Sequence, residues 1–127
     1  GKWRMRMKMV GIFRQMAVYL KSRIVYANET LSEALRDVGK VSDGKSGMEA
    51  EAGLFFLRVQ QRMEEEPGTT FSMIWKEEME KLPEIPLGKS DLEALLVLGD
   101  HLGYADRKTQ ERTILFIWNR QTIRWNI

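Results

Sequence analysis

Cysteine is absent from the 127-residue chain, and histidine occurs once, as His101. The first absence excludes disulfides, thiolate nucleophiles and cysteine zinc sites, and agrees with a reducing compartment. The second removes most multi-histidine metal chemistry. Proline is scarce, at three residues, so few positions forbid a helix. Long apolar runs are missing too: none approaches the roughly 20 residues that a membrane-spanning helix needs, and no signal-peptide pattern opens the chain. Position 1 holds Gly1 in place of methionine. It reads as a residue left by tag cleavage, so a longer parent protein is expected.

What is present points to one folded domain over residues 1–127. Hydrophobic residues make up 43% of the chain and charged residues 30%, a globular balance, and the length suffices for one real core. The net charge of +2 is too small to imply a polyanionic partner, but it is unevenly spread. From Gly1 to Ile24 every charged side chain is basic, whereas Glu49 to Glu80 is acid-rich through Glu64, Glu65, Glu66, Glu77, Glu78 and Glu80.

Apolar periodicity predicts helices throughout. Ile12, Met16, Tyr19 and Leu20 recur at helical spacing within a first helix from Val10 to Tyr26, and Asn28 can end it. Thr30 with Glu33 is a capping-box pattern for a second helix running to about Val38. Residues 39–47 (GKVSDGKSG) lack periodicity and predict a mobile loop that tolerates insertions. A third helix is predicted over Met48 to Glu65, with Phe55 and Phe56 anchoring the core. After the Pro67-Gly68 turn, Thr69 or Thr70 can cap a fourth, with Phe71, Ile74, Trp75, Met79 and Leu82 as its stripe. Residues 83–88 contain two prolines and break it. Ser90 with Glu93 predicts a cap for a fifth helix through Leu102, and Gly103 is placed to end that helix in the left-handed conformation. Asp106 then caps a sixth helix towards Trp125, a cap worth roughly 1 kcal/mol. No strand alternation or repeat is seen, so the fold class is all-α, a single compact bundle of about six helices.

Candidate chemistry is thin. Glu77 and Glu80 are a carboxylate pair without a neighbouring nucleophile or metal ligand, so a solvated helix face accounts for them. His101, near the end of the fifth helix, suits the helix dipole or the last carbonyls. The basic arm Lys2, Arg4, Arg6 and Lys8, interleaved with Trp3, Met5, Met7 and Met9, has the charge of a nucleic-acid arm, but reads better either as a frayed helix end or as the cytoplasmic edge of a membrane span. The apolar end, Trp118, Ile123, Trp125 and Ile127, is expected to fold back on the bundle or to lead into a partner surface.

Two motifs carry a resemblance. Arg14-Gln15, followed by Ile24-Val25-Tyr26-Ala27-Asn28-Glu29-Thr30-Leu31, resembles the first part of the stage III sporulation protein AB family, where a long helix ends in a Tyr-Gly-x-Thr-Pro-Leu-like turn. Gly99-Asp100-His101-Leu102-Gly103-Tyr104-Ala105-Asp106-Arg107, with Gln110 after it, resembles that family's Gly-x-x-Leu-Gly-x-x-Asp-Arg motif. Ala27 and Ser32 stand where the family commonly has Gly and Pro, which touches turn geometry.

The resemblance implies a short cytoplasmic helical domain between membrane-spanning segments, similar to the F-type platform protein of type II secretion. It implies a place in the apparatus joining mother cell and forespore, facing the mother-cell cytoplasm at the outer forespore membrane. The implied partners are a secretion-type ATPase, stage III sporulation protein AA, and membrane proteins of the same apparatus. No catalysis, cofactor, metal or nucleic acid is expected. Asp106, Arg107, Glu77 and Glu78 are the candidate partner-binding residues; Tyr26, Thr30, Gly99, Leu102 and Gly103 are the motif positions expected to act structurally.

Two other classes compete. Residues 91–111 have the outline of a DNA-binding helix-turn-helix, although Ile114 to Trp118 would have to be buried and Asp106 and Glu111 would repel phosphates. A self-assembling scaffold would instead form oligomers without any ATPase.

Overall fold

A computed structural model of the chain describes residues 1–82 and 87–110. Five helices appear among them: α1 (Lys2–Val25), α2 (Leu31–Lys40), α3 (Met48–Glu65), α4 (Phe71–Glu80) and α5 (Lys89–Gln110), with no strand. The expected all-α bundle is therefore present. Among the described residues, its buried apolar side chains, Val10 apart, join in one cluster. At the centre lie Phe13 of α1, Phe55 and Phe56 of α3 and Trp75 of α4, with ring centroids 4.8–6.0 Å apart and mostly edge-on. Each such side chain contributes about 1.5–3 kcal/mol by leaving water.

The predicted caps at Thr30 and Thr70 form. Thr30 accepts a hydrogen bond from the Glu33 N–H at 3.1 Å while the Glu33 carboxylate accepts from the Thr30 N–H at 3.1 Å. Thr70 accepts from the Met73 N–H at 3.3 Å. Asn28 takes a positive φ of 57° in the turn after α1.

Four boundaries differ from the sequence expectation. α1 begins at Lys2 and not near Val10: the Arg6 guanidinium grips Asp91 at the start of α5 through bonds of 2.6 and 3.2 Å, and Met9 is fully buried. The basic arm is thus two ordered turns of helix. α5 begins at Lys89, one residue before the expected Ser90 cap. There the Asp91 carboxylate accepts from the Gly88 N–H at 2.9 Å, so Asp91 does the work assigned to Glu93.

The third difference is that Gly103 does not end α5. It lies inside the helix, and Asp106 caps nothing, because 104–110 continue the same helix. A glycine stops a helix only when the chain turns left-handed there, and among the described residues only Gly44, Gly47 and Asn28 have positive φ. With no turn at 103, residues 91–110 are one rod, and the helix-turn-helix outline is not realised. The expected sixth helix otherwise lies outside the described residues, as do Trp118, Ile123, Trp125 and Ile127.

Fourth, the expected insertion-tolerant loop is partly structural. Gly39 belongs to α2 and packs on α3, where an added Cβ would lie 2.5 Å from Leu57 Cγ. A Cβ on Gly53 would lie 2.5 Å from the Cβ of buried Ser42 and 3.0 Å from the Gly39 carbonyl. The two glycines let α2 and α3 touch backbone to backbone as an antiparallel pair. The other end of that pair is tied by Ser32, which donates to Glu64 at 2.6 Å and accepts from Gln60 at 3.1 Å.

Candidate functional site

Two constructions in the bundle gather the residues singled out from sequence. The first is the seam between α4 and α5. α4 runs antiparallel to α5, and its aromatic residues Phe71 and Trp75, one turn apart, meet Gly103 and Gly99, also one turn apart. An added Cβ at Gly99 would fall 2.2 Å from Trp75 Cδ1, and at Gly103 3.3 Å from Phe71 Cδ1. The missing side chains form the slot that the rings fill. The Trp75 indole N–H then donates to the Leu95 carbonyl at 2.9 Å, and Leu102 is fully buried beside the slot. Gly99, Leu102 and Gly103 thus act together in packing, although Gly103 does so as a helix-interior residue.

The second construction is an acidic corner between α3 and α4. Its hub is Arg62, which donates to both oxygens of Glu66 at 2.8 and 2.9 Å, to Glu77 at 2.7 Å and to Glu78 at 3.2 Å. Lys81 completes it, its ammonium donating to Glu78 at 2.9 Å. Glu78 is 2% exposed and Glu77 46% exposed, so the two neighbours differ in kind: Glu78 is internal and Glu77 presents a half-open carboxylate. Hydrogen bonds from Arg62 hold the Glu66 carboxyl below the usual carboxylate range, outweighing the desolvation that opposes them. Glu64, Glu65 and Glu80 stand exposed on the same two helices. A recess of about 380 Å³ opens between Arg58, Arg62, Glu65 and Lys81.

The acidic run is therefore not wholly a solvated face. Sequence reasoning passed over Arg62, although its four-residue spacing to Glu66 was a readable ion-pair signal. It also passed over the Arg6–Asp91 clasp, which no local spacing announces. In that clasp the Arg6 hydrogen bonds, helped by the Gly88 N–H, hold the Asp91 carboxyl below its usual range.

Asp106 and Arg107 are not part of the acidic corner. They lie beyond the Phe71 end of the α4–α5 seam, roughly 15 Å along the helix axes from the level of Glu77 at 1.5 Å per residue. Arg107 is exposed. Asp106 is half-buried, and desolvation pushes its carboxyl above the usual range against the pull of the Arg107 charge. His101 is an interior residue of α5 and not a helix-end residue, with its Nδ1 buried and without a hydrogen-bond partner among the described residues. Tyr26 is 82% exposed just after α1, next to the turn that Arg23 braces by two bonds to Glu29 at 2.6 and 3.1 Å.

Chemically, paired charges and packed aromatics dominate these arrangements. Among the described residues, no three side chains of metal-binding type come together. No described helix is long and apolar enough to cross a membrane.

The pattern of a long first helix, a Thr-capped second helix and the Gly-x-x-Leu-Gly seam fits a known family. A model of that family, stage III sporulation protein AB, matches residues 1–122. The chain belongs to the stage III sporulation protein AB family. A role in sporulation follows from that membership. No curated protein and no solved structure matches the chain.

Proposed function

We propose that this member of the stage III sporulation protein AB family is a non-catalytic platform. It receives a secretion-type ATPase of the stage III sporulation protein AA kind on its acidic α3–α4 corner and passes position or motion to membrane neighbours. In this reading the domain resembles the F-type platform of type II secretion. It lies at the outer forespore membrane, facing the mother-cell cytoplasm, between membrane-spanning segments.

The observation that carries the reading is the build of the corner. Arg62 joins α3 to α4 through Glu77 and Glu78 and ties the end of α3 through Glu66, so half-open Glu77 and exposed Glu65 are displayed on a braced surface where a docked load is transmitted to the core. At the start of α1, Trp3 is 69% and Met5 and Met7 are each 47% exposed among Lys2, Arg4 and Lys8. That combination suits an anionic membrane edge.

The test is calorimetric titration of the 127-residue chain with the ATPase. Saturable binding is expected, weakened by reversing Glu65, a residue of the recess that holds no part of the corner together, to lysine. Arg107→Ala probes the other candidate patch. Binding unaffected by the acidic reversal and lost with Arg107→Ala would move the docking surface to the end of α5; absence of binding would overturn the platform reading.

A further inference from the structure

The outer face of the α4–α5 pair carries an open groove of about 330 Å³ floored by Met79, Leu92 and Leu96. Leu92 is 37% exposed, and Met73 and Val97, continuing the same face, are 54% and 50% exposed. The rims are charged in a regular way: Lys76 and Glu80 lie one turn apart on α4, and Lys89 and Glu93 one turn apart on α5. None of these four has an ion-pair or hydrogen-bond partner among the described residues, in contrast to Arg6, Arg23, Arg62 and Lys81.

We propose that this face is a two-fold interface with a second copy of the chain. Each rim carries one cation and one anion, so a partner of one dominant charge is attracted at one point and repelled a turn later. A second copy has the complementary order built in. A two-fold axis crossing α4 between Lys76 and Glu80 sets the lysine of each copy on the glutamate of the other, so one contact forms two ion pairs. The same rotation carries Met73, one turn from Lys76 on the same side of α4, towards the Leu92 end of the opposite groove. There its flexible thioether fills irregular apolar space. The inference does not depend on ATPase docking, since the acidic corner uses the α3 side of α4.

Sedimentation velocity on the 127-residue chain, from micromolar to several hundred micromolar, tests it. The weight-average mass is expected to rise with concentration from 14.8 kDa towards twice that value. Leu92→Glu is expected to remove the rise. Lys76→Glu, which sets like charges together at two symmetry-related places, weakens association about tenfold. The double variant Lys76→Glu with Glu80→Lys restores it, because reversing both members keeps the pairing intact. All these side chains are exposed, and circular dichroism verifies that each variant is folded. A wild-type chain that stays monomeric at the highest concentration overturns the proposal. So does self-association unaffected by Leu92→Glu, or a folded double variant that fails to recover.

Discussion

Replacing Gly99 with alanine is expected to destabilise the bundle by about 2–4 kcal/mol, although alanine is the better helix former. Intrinsic propensity alone favours the change by about 1 kcal/mol. Against it stands the 2.2 Å approach of the new Cβ to Trp75 Cδ1, well inside ordinary carbon contact, with Nε1 at 2.4 Å. The indole is 1% exposed and has Phe55 at 4.8 Å and Phe71 at 5.7 Å between centroids, so it has no free space to withdraw into. Overpacking of this kind costs about 1–3 kcal/mol. Displacing the ring also strains the 2.9 Å bond from its N–H to the Leu95 carbonyl, and a buried donor left unmet costs about 1–3 kcal/mol more. For a chain of this size the melting temperature should fall by roughly 8–16 °C.

Gly11→Ala is the control. It is the same substitution in α1, where nothing lies within 4 Å of the added Cβ, and it should stabilise by up to about 1 kcal/mol. Urea and thermal unfolding of the two variants decide the matter. In a Trp75→Phe background, which removes the N–H and narrows the ring, the cost of Gly99→Ala should shrink by at least about 1 kcal/mol. A Gly99→Ala protein as stable as the parent, or more stable, would refute the account of the seam.

Three further outcomes are expected. Thr30→Ala removes one half of the reciprocal cap on α2 and should cost about 1 kcal/mol in urea unfolding. Glu78→Gln should lower the melting temperature more than Glu77→Gln, because the buried carboxylate of Glu78 joins Arg62 and Lys81 whereas that of Glu77 is half in water. Asp106→Asn should stabilise the protein at neutral pH. Burial raises the native carboxyl above its unfolded value, so at neutral pH the ionised group opposes folding. That penalty is relieved as pH falls through the raised value, so the advantage of asparagine should shrink in acid unfolding curves. Asp91 and Glu66 work in the opposite sense: their carboxyls are lowered, and the stability they contribute is lost as pH drops below about 4.

Helices were legible in this chain wherever the signal was local. The stripe through Phe55, Phe56 and Val59, the turn at Pro67-Gly68 and the caps at Thr30 and Thr70 are decided within a few residues, and each forms as read. Gly103 and Asp106 misled because the same letters serve two purposes. A glycine followed by an aspartate three residues on is a stop and a restart when the chain turns, and a packing slot followed by a half-buried carboxylate when it does not.

What the sequence determined alone is the all-helical class, most element positions, and a pair of motifs specific enough to point to the family. Periodicity, caps and motifs are short-range properties that survive without knowledge of neighbours. What the tertiary structure decided is which glycines are hinges and which are slots, that Glu78 is internal while Glu77 is open, and that Arg6 orders the first two turns by reaching 85 positions along the chain to Asp91. Those outcomes depend on which surfaces meet, and the approach of Trp75 to Gly99 or of Arg6 to Asp91 is fixed only when the whole core has closed around them.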